Sequence, residues 1–170
     1  SIVKNQFWYS YLFKRFFNFT YNYKSIIMIP IKHLLHINSP VAEVFKAISD
    51  EKSMSNWYTT MVSGKFEKGS NITFEFVDLA TFKFKIIKIQ KNEFIHFQCV
   101  ESEWDNIGHI MKYDLDENGG KTRLRYTYEG FTEMDDSYSN MNYSSGKYLE
   151  SLRQYCHCLL YTSDAADDLL

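Results

Sequence analysis

Between Ile72 and Tyr128, apolar side chains recur at every second position in short stretches, and this alternation limits the possible folds more than any other feature of the chain. Ile72, Phe74 and Phe76 alternate with Thr73 and Glu75, Phe82, Phe84 and Ile86 with Lys83 and Lys85, and Ile95, Phe97 and Cys99 with His96 and Gln98. His109, Met111, Tyr113 and Leu115 continue the pattern, and Leu124, Tyr126 and Tyr128 resume it after the turn signal Asn118-Gly119-Gly120. Such a period of two places one face of each strand in a core and the other in water, as an antiparallel meander requires.

The segments on either side have other periods. Ile31 to Ile37 is a β-favouring run that ends at Asn38-Ser39-Pro40, where Ser39 is expected to cap a helix with Pro40 at its first position. Val41, Val44, Phe45 and Ile48 then follow helical spacing. Ser49-Asp50-Glu51 interrupts that pattern before a second short helical piece through Met54 to Trp57. After Gly130, the residues Tyr138, Met141, Tyr148, Leu149, Leu152 and Cys156 fall at three- and four-residue steps, which predicts a long amphipathic helix from about Asp136 to Cys156. The expected architecture is α+β: one strand, two short helices, roughly six more antiparallel strands and a closing helix. The apolar face of such a sheet of about seven strands must be buried against that helix.

The domain is expected to span residues 28–157. Residues 1–27 are dominated by Phe, Tyr, Asn, Lys and Ile and contain no Gly, Ala, Pro, Asp or Glu. Those favoured residues have AT-rich codons, so the segment reads as translated upstream DNA, with Met28 as the start. A membrane-surface segment built on Phe16, Phe17 and Phe19 beside Lys14 and Arg15, or a signal peptide, is the competing reading. At the other end, Cys158-Leu-Leu-Tyr-Thr-Ser-Asp-Ala-Ala-Asp-Asp168 resembles a translated sequencing-library adapter, which would make residues 158–170 foreign and the natural C-terminus missing.

Charge and cysteine usage exclude several classes. The formal net charge is −2, and −3 without the two end segments, so no global field recruits nucleic acid. No stretch approaches the roughly 20 apolar residues of a membrane helix. Cys99, Cys156 and Cys158 are odd in number and too few for a disulfide framework, which fits a reducing cytosol. No cofactor or metal is expected. His33 and His36, three apart on a strand, point to opposite faces, and Ser144-Ser-Gly-Lys147 lacks both the first glycine and the hydroxyl of a phosphate-binding loop.

Particular residues carry a family likeness. They are Ile31-Lys-His-Leu-Leu-His-Ile-Asn-Ser-Pro40 with Val44-Phe45, Ser55-Asn-Trp-Tyr58, Val62-Ser-Gly64, Trp104, Asp114-Leu-Asp-Glu117, Gly119 with Lys121-Thr-Arg123, and Tyr148-Leu-Glu-Ser-Leu-Arg-Gln-Tyr-Cys156. In this order they resemble the START-like SRPBCC superfamily, related to the birch-pollen allergen. More narrowly, they resemble its bacterial branch named after the C-terminal domain of the activator of the ninety-kilodalton heat-shock protein ATPase. The resemblance implies a helix-grip fold, in which a curved sheet grips the final helix around a cavity. It does not choose among lipid carriers, enzymes and co-chaperone domains. The chain departs from the pattern at Ser145, where a tryptophan is expected, and at Tyr58, where a second tryptophan is common.

Trp57, Phe74, Phe84, Phe97, Trp104, Met111, Tyr126, Tyr128, Phe131, Met141 and Tyr148 are the candidates for a cavity wall, because strand parity and helix spacing aim most of them at the space between sheet and helix. His109 shares the parity of Met111 and could hydrogen-bond a ligand or act as a base. Ser145 and Gly146 put two small side chains mid-helix, where space or close approach is the expected reason. Glu101, Glu103 and Asp105 form an acidic loop around Trp104. The reading that follows is a binding module for a small apolar molecule. The rivals are a module that docks a chaperone-type ATPase and a cyclase- or hydrolase-like enzyme, which would need a polar dyad inside the cavity. Because residues 1–27 have no regular apolar period to bury, their deletion should leave the melting temperature of the chain unchanged or raised, as read by thermal denaturation.

Overall fold

The computed structural model describes residues 27–167, so the reading of the first segment, apart from Ile27, lies outside the described residues. In chain order the elements are β1 (Ile29–Ile37), α1 (Val41–Ile48), α2 (Glu51–Met54), β2 (Met61–Ser63), β3 (Asn71–Phe76), β4 (Ala80–Gln90), β5 (Phe94–Glu101), β6 (Ile110–Asn118), β7 (Lys121–Phe131) and α3 (Asp136–Asp167). The strands form one seven-stranded antiparallel sheet in the order β1-β7-β6-β5-β4-β3-β2. This is the expected α+β helix-grip arrangement, with a curved sheet and a long final helix. None of the described helices is long and apolar enough to cross a membrane.

Alternation in the sequence becomes alternation in burial. Along β4, Phe82, Phe84 and Ile86 face the core, and along β7, Leu124, Tyr126 and Tyr128 do the same. The outward positions carry charge. Asp116 on β6 accepts from Arg123 and Arg125 on β7, and these hydrogen bonds, Arg123's first, hold its carboxyl at about 2. On β1, His33 faces inward and His36 outward, as strand parity requires.

The helix boundaries differ from expectation at both ends. Pro40, rather than Ser39, occupies the N-cap of α1, and its carbonyl accepts from Glu43 and Val44. Ser39 is pulled inward: its carbonyl accepts the Thr122 hydroxyl of β7 at 2.7 Å, and its own Oγ is buried without a partner. Asp50 does cap α2, accepting from the Ser53 amide at 2.9 Å. The Trp57 Nε1 donates to the Ala47 carbonyl at 2.8 Å and ties the segment after α2 to α1. At its far end α3 runs on past Cys156 to Asp167, a stretch with no glycine or proline to stop it.

The face of α3 that meets the sheet carries Ser145, Leu149, Leu152 and Cys156 at steps of four, three and four. Burial pushes the Cys156 thiol up to about 12. Gly146 points elsewhere, toward β1, and a methyl group placed there would meet only His33 Cε1, at 3.8 Å. That is ordinary contact, so this glycine is not required for close approach. Gly146→Ala should therefore stabilise the chain by up to about 1 kcal/mol, the usual helix-interior difference. A denaturant melt would show it as a higher midpoint at unchanged slope.

Candidate ligand pocket

Between the inner face of the sheet and the first half of α3 lies a pocket of about 400 Å³. The strands contribute Phe76, Phe82, Phe84, Met111, Tyr113, Tyr126, Tyr128 and Phe131. The helix contributes Ser137, Asn140, Met141, Ser144, Ser145, Tyr148 and Leu149. Tyr58, Leu79, Trp104, Asp105, Asn106 and His109 complete the lining from the loops. Its size falls within the roughly 300–1,000 Å³ typical of small-molecule sites.

Aromatic contacts brace the walls. Tyr58 packs edge-on against Phe74, Phe76 and Tyr148, with ring centroids 5.1, 5.4 and 5.0 Å away. It thereby joins β3, one strand in from the edge of the sheet, to α3. Phe82 meets Trp104 at 5.0 Å, and Phe131 meets Tyr138 at 5.4 Å. Edge-to-face pairs of this kind contribute about 0.5–1.5 kcal/mol beyond the area they bury, and they fix ring orientation.

The polar groups of the lining are unequally satisfied. The Ser145 hydroxyl donates to the Tyr126 oxygen at 3.3 Å, so that pair is already engaged. Tyr113 turns its hydroxyl toward the Met111 sulfur at 3.5 Å. The Tyr128 hydroxyl and the His109 Nδ1 are buried and have no hydrogen-bond partner. Burial pushes the Tyr128 hydroxyl well up, against a smaller opposing pull from the neighbouring Asn106 side chain, which falls short of a formed hydrogen bond. His109 is held below its ordinary range by desolvation, opposed by the negative charge of Asp105. At neutral pH this end of the pocket therefore holds an intact phenol and an uncharged imidazole.

His109 sits where it does because of Gly130. The His109 ring packs against Tyr128 and Phe131, at 5.5 and 4.9 Å between centroids, directly over the Gly130 backbone. A Cβ on Gly130 would lie 2.2 Å from the imidazole, and Gly130 has φ +142°, a conformation that only glycine adopts readily.

Of the residues the sequence aimed at this space, Phe84, Trp104, His109, Met111, Tyr126, Tyr128, Phe131, Met141, Ser145 and Tyr148 line the pocket. Trp57, Phe74 and Phe97 stand behind the wall instead. Trp57 is tied to the Ala47 carbonyl, Phe74 lies under Tyr58, and Phe97 is packed between Phe66 and Tyr113. Parity names the inner face of a strand but not which of its positions a neighbouring ring covers. Phe82, Tyr113 and Leu149 share the inward parity or spacing of those residues and line the pocket as well. Tyr58, Leu79 and Asn106 come from loops, where no period points inward. The acidic loop reaches the pocket through Asp105, while Glu101 is engaged by Lys83. No cluster of metal-ligating side chains occurs among the described residues.

Residues 38–157 match the model of the family described as Activator of Hsp90 ATPase homolog 1-like protein. None of the curated proteins matches the chain by sequence. Among solved structures, the Aha1 dimer from Colwellia psychrerythraea is similar at 23% identity and TM-score 0.68, over 74% of this chain and 93% of that one. A Staphylococcus saprophyticus protein is similar at 20% identity and TM-score 0.63, over 76% and 92% of the two chains. CalU16 from Micromonospora echinospora is similar at 18% identity and TM-score 0.62, over 75% of each. At such identities the structural likeness carries the fold alone.

The two glycine and tyrosine features give opposite expectations for stability. Tyr128→Phe removes a hydroxyl that has no partner, so its unfolding free energy should be unchanged or higher. Gly130→Ala combines backbone strain with a collision at His109 and should destabilise by about 2 kcal/mol or more. Parallel denaturant melts of the two variants would check both.

Proposed function

The chain belongs to the Activator of Hsp90 ATPase homolog 1-like family, and we propose that this member holds a small, largely apolar molecule between its sheet and its final helix. The observation that carries this reading is the pairing of an aromatic-lined pocket with buried polar groups that nothing in the fold satisfies. A buried hydroxyl or ring nitrogen without a partner costs about 1–3 kcal/mol, and a ligand that completes the bond recovers part of it. Rings braced in fixed positions leave little side-chain ordering to be lost on binding. The three cysteines are unpaired and two of them are buried, which supports the reducing cytosol as the compartment.

A second reading, docking to a chaperone-type ATPase, draws on the family to which the chain belongs and on exposed side chains at one end of the sheet. Val77 and Leu79 in the β3–β4 turn, Trp104 and Ile107 in the β5–β6 loop and Met134 before α3 are all exposed there. Leu79 and Trp104 also line the pocket, so the two readings share these side chains and differ in what fills the interior. An enzymatic role draws less support, because the His109 Nδ1 lacks the orienting partner that a general base requires.

Ser145→Trp separates these possibilities. Ser145 lines the pocket from α3, facing Tyr126, so an indole there occupies ligand space. Overpacking a filled core costs typically 1–3 kcal/mol, whereas filling a void costs little. The expected result is an unfolding free energy within about 1 kcal/mol of the parent, together with loss of uptake of Nile red, a neutral apolar dye. A clear loss of stability, with no dye uptake by either form, would favour the docking reading.

A further inference from the structure

The polar end of the pocket has a composition that restricts what can sit in it. Among the described residues that line it there is no lysine or arginine, and Asp105 is the one formally charged side chain. A carboxylate or phosphate entering this space finds no cation to pair with and meets a negative charge at the loop. An ion taken out of water without a partner is strongly disfavoured. The two unpartnered groups describe the alternative. Tyr128 is 2% exposed, and its hydroxyl keeps its proton. The neighbouring His109 Nδ1 is buried, on a ring held neutral by desolvation. The two rings are neighbours in the pocket lining, 5.5 Å apart between centroids. A hydroxyl is the smallest group that can answer both at once, accepting from one and donating to the other, and a neutral imidazole can serve in either sense.

Resting on the ligand-binding reading, we infer that the pocket selects an uncharged molecule bearing a hydroxyl on an apolar body, held by Tyr128 and His109, and that it turns away carboxylates of the same size. Gly130 is the positioning residue for this end, since any side chain there would displace the imidazole.

The test uses the full chain loaded with Nile red at pH 7.5 and displaced by 1-octanol or by octanoate, with Tyr128→Phe as the variant. Octanol should displace the dye from the parent at a concentration at least about tenfold lower than octanoate does. Tyr128→Phe should weaken octanol by about five- to tenfold, as loss of one buried hydrogen bond implies, and should leave both octanoate and the melting temperature unaffected. If dye is bound but octanoate displaces it as well as octanol does, or Tyr128→Phe leaves octanol unchanged, the selectivity is wrong while ligand binding stands. If the parent takes up no dye and neither octanol nor octanoate shifts its melting temperature, the ligand-binding reading falls and the selectivity with it.

Discussion

A single helix cannot cover this sheet if the sheet is flat. Seven strands about 4.8 Å apart span roughly 29 Å, while a helix with its side chains is only about 10–12 Å across. The sheet must curl around α3, and short elements must close what remains. α1 does so on one side, burying Val44, Phe45, Ala47 and Ile48. On the other, large rings project inward from the strands and from Tyr58. Where neither reaches, space is left over.

That leftover space persists because its walls are held by contacts directed sideways. Tyr58, Phe76 and Tyr148 form a mutually edge-on group between β3 and α3. Collapse onto the pocket would break those contacts without forming equivalent ones. Ser145 leaves the helix side of the cleft open, where a bulky side chain would fill it. The same geometry strands Tyr128 and His109 at one end. Two of the buried polar atoms without a partner, on Tyr128 and His109, therefore lie where the core is also incompletely filled, while His33 Nε2 and Ser39 Oγ lie elsewhere.

Elements set by local period were readable from the sequence, and their neighbours in space were not. Phe82, Phe84 and Ile86 announce an inward face through alternation, and Leu149, Leu152 and Cys156 announce a helix stripe through spacing. Period says nothing of what lies above a given ring. Phe74 and Phe84 look equivalent in sequence, yet Tyr58 covers the first while the second reaches the pocket. α1 starts one residue later than the chemistry of Ser39 predicts, for a related reason. Ser39 has the right chemistry for a cap, but its carbonyl is engaged by Thr122, far along the chain. Gly146 was legible as unusual, whereas the glycine with a steric duty at the pocket is Gly130, hidden at the end of a strand where a bulge or turn glycine is common.

The strand order also sets a sequence of events. β1 pairs only with β7, so that Ile31 faces Tyr128 and Ile37 faces Thr122, across nearly the whole length of the domain. A ribosome releases β1 first and its partner late, after every other strand. Until then the apolar side chains of β1 have no sheet to join, while β3 to β6 can assemble from near neighbours as consecutive hairpins. Closing so long a loop gains nothing until the last strand arrives, a feature of slow folders. For much of its synthesis the chain carries β1 as an unpaired apolar strand, the kind of segment that is prone to aggregate before its partner arrives.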